Sequence, residues 1–188
     1  PPSEANSFIL QATLGCSFNH CSFCSMYRTK HFAIRPLEQV RAEIQTVART
    51  YPDGRRVFLA DGDALAAPTE HLLAILDVLH ASLPRLERVS SYALPANLLK
   101  KSVEELAELR EGGLTLLYYG IETGSADLLK RITKGATPEA MLTGLTKARR
   151  AGLRVSATVI LGLGGQDYWQ EHIDATADLV NRVELDYL

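Results

Sequence analysis

Three cysteines lie close together near the start of the chain and could bind metal. Cys16, Cys21 and Cys24 are the only cysteines among 188 residues, and they are spaced as C-x4-C-x2-C. An odd, tightly clustered set of thiols is a poor basis for disulfides and a good basis for metal binding in a reducing compartment. Iron–sulfur clusters take thiolate ligands, commonly four. Three thiolates would therefore leave one iron of a 4Fe–4S cluster open to an exogenous ligand.

Two other metal sites fit the same cysteines. Zinc favours tetrahedral Cys3His sites, in which His20 or His31 would be the fourth ligand of a structural or interaction domain. Structural zinc usually stabilises small modules, whereas a chain of this length can bury its own core. A plant-type ferredoxin, an electron carrier, shares the C-x4-C-x2-C spacing but needs a further cysteine. We therefore favour the cluster with an open iron.

The cysteine loop follows the first of a series of alternating strands and helices. Apolar runs predict strands, and apolar residues at helical spacing between them predict amphipathic helices. The predicted strands cover residues 7–13, 56–60, 88–92, 114–121 and 154–161. The predicted helices begin near Pro36, Pro68, Ser102, Ser125, Pro138 and Trp169. The apolar stretch 183–188 would begin a sixth strand, which predicts about six β–α units, the last of them truncated.

Successive β–α units imply parallel strands joined by right-handed crossovers, as in an α/β barrel or a doubly wound sheet. Each polar or glycine-rich group follows a predicted strand: Cys16, residues 61–63, Tyr92, residues 122–125 and residues 162–165. Barrel enzymes assemble their active sites at this end of the strands. We therefore predict an α/β fold, a partial, three-quarter parallel β/α barrel.

Composition narrows the class of protein. Lys and Arg number 20 against 22 Asp and Glu, so nucleic acid is not indicated as a partner. No apolar run is long enough to span a membrane, which predicts a cytoplasmic protein. We expect residues 1–188 to be one core domain of a longer chain, because the final apolar stretch reads as an incomplete strand.

Four further motifs occur in a fixed order after the cysteine loop. They are Tyr-Gly-Ile-Glu-Thr-Gly-Ser at 119–125, Leu-Lys-Arg-Ile-Thr-Lys-Gly at 129–135, Ala-Gly-Leu at 151–153 and Ile-Leu-Gly-Leu-Gly-Gly at 160–165. Together with the cysteine loop, this order resembles the radical S-adenosylmethionine (SAM) superfamily, and especially the subgroup of anaerobic coproporphyrinogen oxidase and the elongator-type catalytic subunit. The commonest motif of the superfamily is C-x3-C-x2-C, so the present loop has one extra residue.

The resemblance implies two cofactors and a reaction. Cys16, Cys21 and Cys24 would hold a 4Fe–4S cluster whose open iron binds the amino and carboxylate groups of SAM. One electron, from a donor such as flavodoxin or ferredoxin, would cleave SAM to methionine and a 5′-deoxyadenosyl radical. The radical would abstract hydrogen from a small-molecule substrate that the sequence does not identify. We expect an oxygen-sensitive enzyme whose reaction subclass is open.

The resemblance also implies contacts with SAM. Asp61, Gly62 and Asp63 would contact its amino group, although an ordinary Asp-Gly turn fits these residues too. Glu122 would bind the ribose or methionyl moiety and Lys134 the carboxylate. The remaining expected contacts with SAM or substrate are Phe23, Tyr92, Ser125, Thr158, Ile160, Gly162 and Leu163.

Several of these residues have plausible structural roles instead. Glu122 could form a salt bridge with Lys134 or Arg154, because an unpaired buried charge is costly. Ser125 could cap the following helix. Tyr92 and Thr158 could simply pack in the core. No residue stands out as a dedicated acid or base for a second chemical step.

Two further patterns are given structural interpretations. Residues 162–165 approach the dinucleotide-binding G-x-G-x-x-G pattern, but Asp167 holds the place of its third glycine. His71, His80 and His172 lie on predicted helices and are expected to be packed or solvated there.

Overall fold

Five parallel strands form the central sheet of the computed structural model, which describes residues 1–188. The strands along the chain are β1 (Phe8–Gln11), β2 (Thr13–Leu14), β3 (Ala33–Ile34), β4 (Arg56–Ala60), β5 (Arg88–Ala93), β6 (Leu114–Glu122) and β7 (Arg154–Val159). The central sheet has the order β1-β4-β5-β6-β7, and every neighbouring pair in it is parallel. β2 and β3 form a separate antiparallel pair. The α/β class and the parallel order that the sequence predicts are confirmed.

Seven helices connect the strands. They are α1 (Leu37–Thr50), α2 (Thr69–Ser82), α3 (Pro95–Lys100), α4 (Val103–Glu111), α5 (Ala126–Arg131), α6 (Pro138–Arg150) and α7 (Trp169–Asn181). One face of the sheet and the helices enclose a core of 34 buried apolar residues. Because strand side chains alternate between the two faces, every second residue points to the opposite, inner face. There Phe58, Tyr92 and Tyr118 pack edge to face, with ring centroids 5.0 to 6.4 Å apart.

The predicted helix caps are present. Ser102 Oγ accepts from the backbone N–H of Glu105 at 3.1 Å, and the Glu105 carboxylate accepts from the N–H of Ser102 at 2.8 Å. Ser125 caps α5 and Thr137 caps α6 in the same way, each accepting an amide hydrogen bond at 3.2 Å. These bonds satisfy amides that the first helical turn leaves unpaired. The start of each of these three helices is therefore fixed by a side chain of the residue that precedes it.

The N-terminal segment is attached to the inner face of the sheet by one buried carboxylate, that of Glu4. Glu4 is 1% exposed. It accepts hydrogen bonds from Tyr118 Oη at 2.6 Å and from Ser90 Oγ at 2.9 Å, and Arg88 Nη2 lies 2.7 Å away in an ion pair. Burial tends to raise the pKa of this carboxyl, but the hydrogen bonds from these groups and from Ser7 outweigh it and lower the pKa. Glu4 thereby joins the segment 1–7 to β5 and β6.

The structure departs from the sequence prediction in four places. The predicted first strand is broken after Gln11, and the short β2–β3 pair brackets the cysteine loop. The helix α3 was not predicted, because six residues are too few to show a helical period. The predicted fifth strand ends at Val159 instead of residue 161, and the sixth strand is reduced to a single bridge between Ser156 and Tyr187. Asp186 ends this pairing, since its side chain accepts the Val155 N–H at 2.8 Å.

Candidate active site

The cysteine loop is tied at both ends to the residues that follow β4. The Gly15 N–H donates to the Asp61 carboxylate at 3.1 Å, and Lys30 forms an ion pair with it at 2.6 Å. The Gly62 N–H donates to the Gly15 carbonyl at 3.0 Å. A Cβ at Gly62 would overlap the ring of Tyr27, so only glycine allows this close approach. Asp61 and Gly62 therefore hold the loop over the carboxyl end of β4.

Asp63 contacts the same cysteine loop through Ser17. Its side chain is completely buried and accepts a hydrogen bond from Ser17, the neighbour of Cys16. Burial raises the pKa of this carboxyl, although the hydrogen bond from Ser17 opposes the rise. Asp61 and Asp63 thus have structural partners of their own. Their contact with the SAM amino group remains a prediction.

The opposite side of the cysteine loop rests on the segment after α5. The Ser22 N–H donates to the Ile132 carbonyl at 2.9 Å. Phe18 packs on Gly135, which has a φ of +72° and no room for a Cβ. The loop therefore bridges from β4 to the 132–135 segment, across the carboxyl ends of the strands between them.

The three cysteines are free and partly buried. Burial raises the pKa of the Cys21 thiol; Lys134 opposes this rise, whereas the charges of Cys16 and Cys24 add to it. The chain supplies three thiols to this loop and has no fourth cysteine. Iron–sulfur clusters take thiolate ligands, commonly four, so this donor set fits a 4Fe–4S cluster with one iron left open.

Arg28 holds the turn between the last two cysteines. Its Nε donates to the Cys24 carbonyl at 3.1 Å and its Nη2 to the Cys21 carbonyl at 2.8 Å. The Cys24 N–H also bonds the Cys21 carbonyl, at 3.2 Å. This guanidinium fixes two cysteine backbones and places a positive charge beside them. No spacing in the sequence marks this role, because the contacts are to backbone carbonyls.

Glu122 and Lys134 form a buried ion pair beside the cysteine loop. Glu122 Oε1 and Lys134 Nζ are 3.1 Å apart, with side chains 11% and 9% exposed. Glu122 lies at a break in the β6–β7 register with a φ of +64°, which turns its side chain out of the strand. Lys134 Nζ lies 5.8 Å from the ring centroid of Phe23. Of the two salt-bridge partners considered for Glu122, Lys134 is the one present, and Arg154 pairs with Asp186.

The other predicted contacts are spread along the same edge. The Ile160 N–H donates to the Glu122 carbonyl at 3.1 Å, so the end of β7 lies against the end of β6. Ser125 caps α5 and its hydroxyl also bonds Glu171. Thr158 is exposed and Tyr92 half-buried on the inner face. Leu163 packs against the core, whereas Gly162 is exposed.

The structure also shows a buried polar group that sequence reasoning did not single out. His172 is 4% exposed, and its ring nitrogens bond Thr123 and the Ile160 carbonyl. His172 was expected to be either packed or solvated, and the structure shows it packed. Its hydrogen-bond partners lie 49 and 12 residues away along the chain. No local pattern marks such a contact.

The family of the chain follows from comparison with known proteins. A profile of the radical SAM superfamily matches residues 10–180. The chain belongs to the radical SAM superfamily. Members of this family use a 4Fe–4S cluster and SAM. Residues 10–180 are therefore a radical SAM domain, and the donor set of its cysteine loop fits the cluster.

Related sequences cover much of this chain but are themselves longer. The heme chaperone HemW of Bacillus subtilis is 30% identical over 125 residues, which are 65% of this chain and 33% of HemW. An uncharacterized methyltransferase of Pyrococcus horikoshii is 27% identical over 185 residues, 95% of this chain and 38% of that protein. The chain thus spans about a third of the length of these curated relatives.

Solved structures confirm the fold. The cobalamin-dependent SAM radical enzyme OxsB superposes with a TM-score of 0.73 at 16% identity, over 97% of this chain and 28% of OxsB. Coproporphyrinogen III oxidase (HemN) from Escherichia coli superposes with a TM-score of 0.68 at 15% identity, over 96% of this chain and 42% of HemN. None of the helices has the length and apolar character needed to cross a membrane.

Proposed function

We propose that Cys16, Cys21 and Cys24 ligate three irons of a 4Fe–4S cluster and that the chain binds SAM at the fourth. The observation that carries this proposal is the position of the buried pair of Glu122 and Lys134 beside the cysteine loop, where Lys134 Nζ lies 5.8 Å from the ring centroid of Phe23. The methionyl part of SAM carries a negative carboxylate and a positive amino group. The buried Lys134 cation and Glu122 anion have the charges that complement these two groups. When bound and reduced, the cluster supplies one electron to the SAM sulfonium, which splits homolytically into methionine and a 5′-deoxyadenosyl radical.

The protein residues bind and orient SAM. Lys134 would attract the SAM carboxylate, and Glu122 would accept hydrogen bonds from the ribose hydroxyls or the amino group. The apolar residues Ile160 and Leu163 would flank the adenine, with Phe23 closing the opposite side. Gly162 is exposed and has a φ of +77°, a conformation that glycine adopts without strain. The chain can therefore turn here without placing a side chain over the adenine ring.

The inner face supplies the rest of the reaction chamber. Phe58, Tyr92 and Tyr118 give the chamber an aromatic wall. Thr158, an exposed residue of β7, adds a hydroxyl group. An apolar wall keeps water away from a reactive radical. The substrate is a small molecule of unassigned class. The electron donor would be a flavodoxin or a ferredoxin, and the reducing cytoplasm is the compartment that suits free thiols.

The test is anaerobic reconstitution with iron and sulfide, followed by reduction with dithionite and measurement of 5′-deoxyadenosine. We expect SAM-dependent formation of this product by the wild-type chain. Each of the variants Cys16→Ser, Cys21→Ser and Cys24→Ser should lose it. Ser25→Ala, an exposed change in the same loop, is the matched control and should keep it.

Two results would contradict the proposal. A colourless protein with stoichiometric zinc and no SAM binding would indicate the Cys3His interpretation. An iron–sulfur protein that cycles between oxidation states without cleaving SAM would indicate an electron carrier. Metal analysis and the product assay on the same sample separate all three outcomes.

A further inference from the structure

His172 connects two loops that belong to different strands. Its Nδ1 lies 2.8 Å from Thr123 Oγ1, in the turn after β6, and its Nε2 lies 3.1 Å from the Ile160 carbonyl, at the end of β7. The ring is 4% exposed, so water does not compete for these bonds. Neither loop is adjacent to His172 along the chain.

The partners fix which ring nitrogen carries the proton. A carbonyl oxygen can only accept, so Nε2 is the donor towards Ile160. In the neutral ring Nδ1 is then an acceptor, and the Thr123 hydroxyl donates to it. The Thr123 oxygen in turn accepts the Ser125 N–H at 3.1 Å. The result is a directed chain of three hydrogen bonds from Ser125 to Ile160. Thr176 Oγ1 also lies near Nδ1, at 3.4 Å, but the Thr123 hydroxyl is the closer partner.

The rest of α7 reinforces the same attachment. The Gly124 N–H donates to Thr176 Oγ1 at 2.9 Å, one helical turn beyond His172. A Cβ at Gly124 would overlap the Ala175 carbonyl, so glycine alone allows the turn to lie this close to the helix. The turn after β6 is therefore fixed to α7 by three side chains, Glu171, His172 and Thr176, and His172 is the one that continues to β7.

The two loops that His172 joins hold opposite parts of the proposed SAM site. Thr123 follows Glu122, assigned above to the ribose or amino group, and Ile160 begins the segment assigned to adenine. We infer that His172 is a positioning residue that sets the distance between these two sides of the site. The inference rests on the proposed function. His172 acts through Thr123 and Ile160 and is not itself a catalytic residue.

Three substitutions separate the two bonds. In His172→Gln the amide nitrogen can reach the place of Nε2 and keep the bond to Ile160. In His172→Asn the shorter side chain can replace Nδ1 and keep the bond to Thr123. His172→Leu keeps the volume and loses both. His80→Gln, on an exposed position of α2, is the matched control.

The first readout is SAM affinity, measured by anaerobic equilibrium dialysis of reconstituted protein at a temperature where every variant is folded. We expect His172→Leu to bind SAM about tenfold more weakly, as expected for one or two lost hydrogen bonds. His172→Gln and His172→Asn should each bind SAM with an affinity between those of His172→Leu and the wild type. The KM for SAM should rise by the same factor, while kcat at saturating SAM stays close to that of the wild type.

The second readout does not need the cluster. Hydrogen exchange of the Ser125 and Ile160 amides should accelerate in His172→Leu relative to amides of α2. Nitrogen-15 NMR of the wild-type imidazole should show the proton on Nε2. Equal SAM affinity in all variants, or a proton on Nδ1, would overturn the inference while leaving the proposed function intact. Absence of SAM binding by the wild-type protein would instead overturn the proposed function, and the inference with it.

Discussion

At the scale of single residues, the buried pair of Glu122 and Lys134 is the most sensitive feature of the site. Removing one member of a buried pair leaves the other charge without compensation, which is usually strongly destabilising. A substitution that displaces the pair without deleting a charge is therefore more informative. Gly120→Ala is such a substitution, because the added Cβ would overlap the Glu122 carboxylate and lie 2.9 Å from Lys134 Nζ.

We predict that Gly120→Ala weakens SAM binding by about tenfold, since the displaced carboxylate no longer fixes Lys134. The change should have a smaller effect on thermal stability, because the atom that must move is the end of a flexible side chain. Equilibrium dialysis with SAM and thermal unfolding measure the two effects. Gly112→Ala is the control. Its Cβ would lie 3.0 Å from Leu73 Cδ2 and 3.3 Å from both Leu76 Cδ1 and the Glu108 carbonyl oxygen, none of which belongs to the ion pair, so affinity should be unchanged. Equal affinities in both variants would place the pair outside the site.

At the scale of elements, two serine caps of the same chemistry start helices in different places. Ser102 begins α4, whereas Ser125 begins α5 beside Glu122. Loss of a serine cap typically costs about 1 kcal/mol. We predict that Ser102→Ala and Ser125→Ala each lower the free energy of unfolding by about this amount, measured in urea. Only Ser125→Ala should also weaken SAM binding; a similar loss of affinity in both variants would indicate a general effect of stability.

The helix starts illustrate what the sequence could predict. Caps and strand runs are local, so Ser102 with Glu105, and the strand Arg56–Ala60, were predicted at their observed positions. The helix α3 and the β2–β3 pair are too short to have a period. The pairing of Glu122 with Lys134 was foreseen as one of two options. The contacts of Arg28 and His172 were not, because they involve backbone carbonyls and partners that only the folded chain brings near.

At the scale of the whole molecule, Glu4 joins the N-terminal segment to strands more than eighty residues away. The pKa of its carboxyl is lowered below the ordinary value of 4.5. A carboxyl whose pKa is lower in the folded than in the unfolded chain stabilises the fold above the unfolded value. That stabilisation decreases as the pH falls through the folded-state pKa.

We therefore predict that the wild-type chain loses stability as the pH falls below about 4.5 and that Glu4→Gln removes part of this dependence. The glutamine variant should be less stable than the wild type at neutral pH, because it cannot accept the same charged hydrogen bonds. Urea unfolding followed by Trp169 fluorescence at neutral and acidic pH gives both quantities. If the free energy of unfolding changed with pH in the same way in both proteins, Glu4 would not be the source of this pH dependence.

The main apolar core contains none of the three cysteines. The loop that carries them is attached by polar bonds to Asp61, Asp63 and the backbone of Ile132. Loss of a bound cluster to oxygen should therefore leave the fold and the polar attachments of the cysteine loop in place. Iron, sulfide and a reductant for oxidised thiols should then be enough to rebuild the cluster in the folded chain.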